Sequence, residues 1–204
     1  MVERQLRRRG VADERVLGAM ARVPRELFVS EVLRPHAYDD GALPIGQRQT
    51  ISQPLVVATI CALLELRGPE RVLDVGTGSG YQAAVLAELA AEVVTVERIP
   101  ELAEQARANL AAAGYPQVEA RVGDGTLGIP DRAPFDAIAV AAAAPAFPET
   151  LYEQLRPRGR LVVPVGGQRT QRLEVIVRSP EGPAVVHSVP CRFVPLVGEE
   201  GFAG

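Results

Sequence analysis

The sequence predicts an α/β fold: a mostly parallel, twisted sheet with helices on both faces and a β-rich C-terminal end. Three observations predict it. Short apolar runs alternate with helical patterns through the middle of the chain, and such alternation means parallel strands joined by crossover helices. The stretch Arg71 to Ala84, RVLDVGTGSGYQAA, reads as a strand, a tight glycine loop and a helix start. The last quarter holds two strand-like runs, 172–179 and 183–198, parted by the turn SPEGP as in a hairpin.

A length of 204 residues suits one domain. Its expected parts are an N-terminal helical and lid segment (1–66), an α/β core (67–166) and C-terminal strands (167–204). A net charge of −3 and only 4% aromatic residues argue against a nucleic-acid surface. Apolar runs are shorter than the span of about 20 residues that a membrane helix needs. The opening MVERQLRRRG has no apolar stretch behind its basic residues and does not read as a signal peptide, so a cytoplasmic protein is expected. Cys61 and Cys191 lack metal-ligand spacing and read as small buried apolar residues, so no metal is expected.

In chain order, residues 3–21 read helical, broken at Gly10, with Asp13 as the N-cap of a second helix. Arg7, Arg8 and Arg9 have acidic neighbours and read as a solvated face. Residues 36–50, HAYDDGALPIGQRQT, read as a long loop of the kind that forms lids or binding loops. Then ISQPLVVATICALLEL gives a helix ending before Gly68, with Ser52 at an N-cap position. A hydroxyl there either caps the helix or, with the free amides, holds a carboxylate.

In the glycine loop, Gly76, Gly78 and Gly80 allow positive φ and close approach of a ligand, and Asp74 stands at the carboxyl end of the strand. The spacing is not that of a dinucleotide fingerprint, whose third glycine would fall at Tyr81, nor of a phosphate loop, which needs a lysine. Residues 83–90 form the crossover helix and 92–97 the next strand, ending at Glu97. That acid either accepts bonds from a ribose diol or pairs with Arg98. Residues 101–114 form an amphipathic helix closed by Gly114. Residues 118–125 form a strand whose end, Asp124 and Gly125, offers one acceptor and one donor to an adenine. Residues 135–145 give a buried strand and a small-residue loop whose alanines leave space, and a turn at 157–159 precedes a fifth strand. His36 and His187 lie in no motif and read as structural.

The acidic residue followed by G-x-G-x-G resembles motif I of the class I S-adenosylmethionine-dependent methyltransferases, which are Rossmann-like. The resemblance sharpens over nearly the whole chain. The opening MVERQLRRRGV with VPRE, then QTISQP, LDVGTGSGYQAAVLA, GDGT, RPRGRLVVPVG and FVPLVGEEGF are similar to the bacterial protein-L-isoaspartate O-methyltransferase family. The resemblance implies S-adenosyl-L-methionine as cofactor and isoaspartyl proteins and peptides as substrates, whose free α-carboxylate is methylated in protein repair. It implies a monomer, and an exchange in order of the last strands relative to most methyltransferases. By position, Ser52 matches the active-site serine, and Thr50 and Ile51 flank cofactor and acceptor. Asp74, Gly76, Gly78 and Gly80 line the methionine end, Glu97 the ribose, Asp124 and Gly125 the adenine, while Gln171 matches a residue of the closing C-terminal part. An inert adenosine-binding module and a methyltransferase for a small-molecule acceptor are the alternatives, and QTISQP and FVPLVG speak against the latter.

Overall fold

A computed structural model of the chain describes residues 1–167 and 169–203. Its centre is a seven-stranded sheet in the order β5-β4-β3-β6-β7-β8-β9. The parallel part comprises β3 (Arg71–Val75), β4 (Glu92–Glu97), β5 (Glu119–Val122), β6 (Phe135–Val140) and β7 (Leu155–Gly166), whereas β8 (Gln171–Ser179) and β9 (Gly182–Cys191) are antiparallel additions. The last three strands therefore follow sequence order across the sheet, a consequence of the tight turn that pairs Ser179 with Gly182. A separate two-stranded sheet joins β1 (Leu43–Gly46) to β2 (Gln49–Ile51).

Alternation along the strands gives each face of the large sheet its own core. Val72, Ala137, Ala139, Val162 and Val175 point to one side, where they meet α1 (Glu14–Arg22), α2 (Pro54–Leu63) and α3 (Tyr81–Ala87) through Leu17, Ile60 and Leu86. Leu73, Val75, Val94, Val96, Ile138 and Val163 point to the other, under Ile129 and the Leu151 of α5 (Glu149–Glu153). Both faces are thus covered, as the sequence predicts. α4 (Pro100–Ala112) buries Leu102, Ala103, Ala106 and Leu110 and ends with Gly114 at φ +90°, the left-handed residue expected there.

Asp13 caps α1, its carboxylate accepting from the amides of Arg15 and Val16 at 2.9 and 3.3 Å. The arginine cluster is exposed and paired with Glu3, Glu14 and Asp40. Four expectations fail. Residues 36–50 are not one loop, because they carry the β1–β2 hairpin, which turns at Gln47 and Arg48 with φ of +49° and +58°. The turn expected at 157–159 is a bulge inside β7: Phe135 pairs with Leu155 but Ala137 with Arg160, so the extra residues of β7 loop out. The run 183–198 is strand only to Cys191, and then the chain crosses the ends of the parallel strands. Cys191 is only half-buried, while Cys61 is buried. Among the described residues, no helix is long and apolar enough to cross a membrane.

Candidate active site

Parallel strands aim their carboxyl ends the same way, and a crevice opens where the chain leaves one strand for neighbours on opposite sides. Here that strand is β3, flanked by β4 and β6. A cavity of about 360 Å³ lies at this point, bordered by Gly76 and Gly78, by Glu97, by Gly125, and by Thr50 and Ser52 of the opposite wall. A volume of this size is within the range of small-molecule sites, about 300–1,000 Å³.

The loop is drawn tight by backbone bonds. The amides of Gly76 and Ala141 donate to the carbonyls of Val96 and Val75 at 2.9 and 2.8 Å, continuing the ladders past the strands. Gly76, Gly78 and Gly80 all have positive φ. The first two border the cavity. Gly80 does not: it precedes α3 against α4, where an added Cβ would stand 3.1 Å from Leu110 Cγ and 3.3 Å from the Ala106 carbonyl. Its role in this geometry is helix packing rather than contact with a ligand.

The acidic residues divide in the same way. Glu97 is nearly buried, and its oxygens accept the amides of Gly78 and Ile99, both at 3.0 Å. It forms no ion pair with Arg98, which itself borders the cavity, and each oxygen keeps a lone pair for a hydroxyl. Asp74 is fully buried beneath the loop and does not border the cavity. Gln82 donates to one of its oxygens at 2.7 Å and Thr95 to the other at 2.9 Å, while the Thr77 hydroxyl meets that of Thr95 at 2.7 Å. Burial pushes its carboxyl up to about 6 despite the bonds from Gln82 and Thr95. The direct lining role expected of Asp74 is therefore not offered by this geometry, because the side chain is committed below the floor.

Asp124 and Gln171 also stand back from the cavity, and both tie down the C-terminal segment. Asp124 accepts from the Thr126 amide and hydroxyl at 2.8 and 2.6 Å and from the Glu199 amide at 2.7 Å. Partial burial, which alone would raise its pKa, is outweighed by these bonds, so its carboxyl sits below the usual range. Only its neighbour Gly125 borders the cavity, where a Cβ would meet Val75 Cγ1 at 2.6 Å. The Gln171 side chain exchanges bonds with the Phe193 backbone, donating at 3.2 Å and accepting at 2.6 Å. Ala143 bonds Val194 and Leu196 at 2.8 Å each. The space that the alanines of 141–144 leave is thus taken in part by the chain's own residues 194–197, a wall that sequence reasoning missed because those residues read as strand.

The opposite wall is the corner Thr50, Ile51 and Ser52 at the end of β2. The N-cap of α2 is Gln53, not Ser52, since Pro54 is the first helical residue. The Ser52 hydroxyl makes no hydrogen bond among the described residues. A second hollow of about 350 Å³ lies on the outer side of the same corner, sharing Thr50, Ser52, Ala141 and Val194 with the first and adding Arg192 and Phe193. His36 and His187 are exposed and border neither hollow. Among the described residues no cluster of three His, Cys, Asp or Glu side chains could hold a metal ion.

With Tyr81 where a dinucleotide fingerprint needs its third glycine, a glycine loop at the switch point and an acid closing the neighbouring strand fit a class I, S-adenosylmethionine-dependent methyltransferase. The chain is similar over 98% of its length, and over 67% of the other chain, to a solved protein-L-isoaspartate O-methyltransferase, at 29% identity and a TM-score of 0.88. A Plasmodium falciparum structure described as a putative enzyme of that name in complex with S-adenosyl-L-homocysteine covers 94% of both chains, at 26% identity and a TM-score of 0.82. Protein-L-isoaspartate O-methyltransferase 2 of Marinobacter nauticus is 57% identical over 99% of this chain and 93% of its own. Residues 1–201 match the family Protein-L-isoaspartate(D-aspartate) O-methyltransferase, and the chain belongs to it.

Proposed function

We propose that the chain is a protein-repair enzyme that moves the methyl group of S-adenosyl-L-methionine to the free α-carboxylate of L-isoaspartyl residues in proteins and peptides. One observation carries this reading. The cavity beside the glycine loop and the hollow outside it share Thr50 and Ser52, with Ala141 and Val194 across from them, so donor and acceptor can approach the Ser52 hydroxyl from opposite sides.

The residues present fit the cofactor. Glu97 has acceptor capacity for both hydroxyls of a ribose, Gly76 and Gly78 present bare backbone, and Gly125 leaves open the floor that a Cβ would fill. Asp74 supports the loop through Gln82 and Thr95, and Asp124 and Gln171 support the C-terminal wall. When bound, the cofactor supplies a methyl group on a sulfonium, ready for in-line displacement.

The acceptor carboxylate, with an ordinary pKa of about 4, is already anionic at neutral pH and needs no general base. Ser52 orients it: the hydroxyl donates to one oxygen and leaves the other facing the cavity. Leu196 and Val197 exclude water from that side. The donor cavity and the outer hollow are both built from one chain, and we read the protein as a monomer. The acidic balance, a net charge of −3, favours protein rather than nucleic acid as partner, and we read the setting as cytoplasmic.

The test is methyl transfer from radiolabelled cofactor to a peptide containing L-isoaspartate and to its ordinary aspartyl counterpart. Label on the isoaspartyl peptide alone is expected. Equal labelling of both would end the repair assignment.

A further inference from the structure

Beneath the Thr50–Ser52 corner lies an arginine with no counter-ion among the described residues. Arg25 is fully buried. Its Nε donates to the Ala37 carbonyl and its Nη2 to the Ser52 carbonyl, both at 2.7 Å, while Nη1 has no partner among the described residues. The guanidinium carbon stands 4.6 Å from the ring centre of Tyr81, which borders the donor cavity and is held edge-on by Phe28. No carboxylate pairs with it among the described residues.

A buried, unpaired cation is costly, and one removed from water is poorly screened. Burial pulls its pKa below the usual range, offset only in part by Tyr81 and Tyr38. A neutral donor of similar shape could fasten the same two carbonyls at less cost. We infer that Arg25 is a positioning and specificity residue for the acceptor: it fixes the Ser52 backbone and supplies, through the corner, the positive field that selects a carboxylate over a neutral group. The inference rests on the reading that the acceptor docks against Ser52.

An anion bonded to the Ser52 hydroxyl lies one residue's breadth from the guanidinium, on the order of 8 Å, where an effective dielectric of about 20 gives a preference of roughly tenfold to thirtyfold. Arg192, in the outer hollow, is exposed and cannot supply a field that persists in salt.

The experiment compares two versions of one peptide, the isoaspartyl form and its neutral α-carboxamide. The first is measured as substrate and by direct binding, the second by direct binding, and S-adenosyl-L-homocysteine affinity serves as a control. Arg25→Met is expected to weaken the isoaspartyl peptide about tenfold more than the carboxamide while leaving the cofactor product within twofold, and Arg25→Lys to restore part of the difference. Equal weakening of both peptides would mean that Arg25 is only a backbone fastener, and the inference would fall. Should Arg25→Met not fold, the wild-type protein decides: its preference for the charged peptide should change less than twofold between low and moderate salt, whereas collapse of that preference would place its source on the surface. If the wild-type protein binds the isoaspartyl peptide but Ser52→Ala leaves its affinity and turnover unchanged, docking at Ser52 fails separately from the role of Arg25.

Discussion

The two walls of the cavity are finished to different degrees. On the loop side every one of these acids is held by bonds from within: Glu97 by two amides, with a lone pair to spare on each oxygen, Asp74 by Gln82 and Thr95, Asp124 by Thr126 and the Glu199 amide. On the corner side the Ser52 hydroxyl makes no hydrogen bond and Nη1 of Arg25 has no partner among the described residues. A wall that holds the same donor at every turnover can be pre-organised by its own bonds. A wall that must seize a transient anion keeps donors in reserve, because a buried donor already paired has little left to give.

Four substitutions break or sharpen that contrast. The largest effect belongs to Asp74, whose folded pKa of about 6 lies above its usual value of 3.8. Between those values the native state holds a proton that the unfolded state has lost, so this group's contribution to stability falls as pH rises through the window and is level above it. The difference corresponds to about 3 kcal/mol. Asp74→Asn should therefore gain stability relative to wild type on going from pH 4 to pH 7, by up to that amount, in urea unfolding of the cofactor-free proteins. An unchanged difference between the two pH values would show that Asp74 is not held against its charge.

Next comes Ser52→Ala. Loss of a hydroxyl bond to a charged group costs about 2 kcal/mol, so kcat/KM for the isoaspartyl peptide should drop roughly thirtyfold. Because the hydroxyl has no partner among the described residues, melting temperature and cofactor-product affinity should not move. Loss of stability instead would put Ser52 with the finished wall.

Glu97→Gln turns two charged acceptors into one neutral acceptor and a donor facing backbone amides. Cofactor-product affinity should fall about tenfold by calorimetry, with the peptide KM unchanged. The smallest effect is expected at Gly80, where alanine would meet both a left-handed φ and the flank of α4. Gly80→Ala should cost about 1 kcal/mol of stability and leave cofactor-product affinity intact. A large loss of affinity would return Gly80 to the ligand.

The sequence displayed β3, β4 and β6 with little ambiguity, since each is a dense apolar run with a loop residue at its end. The hairpin at 43–51 was hidden because its turn uses Gln47 and Arg48 in left-handed conformations, where glycine or asparagine would have signalled it. Ser52 drew attention as a cap, but Pro54 as the first helical residue assigns that place to Gln53. Arg25 was invisible as a site residue: in VPRE it is one charged residue among several, and nothing local marks it as the one that the fold buries.

The chain's own order of residues determined the α/β alternation, the glycine loop, the acids at the strand ends and the family to which they belong, because backbone freedom and hydrophobic period act over a few neighbouring positions. Tertiary structure alone decided which acids face the cavity and which brace it, that residues 194–197 close its wall, and that Arg25 stands under Ser52. Those outcomes depend on contacts between segments far apart in the chain, where burial, rather than sequence spacing, sets what a side chain can do.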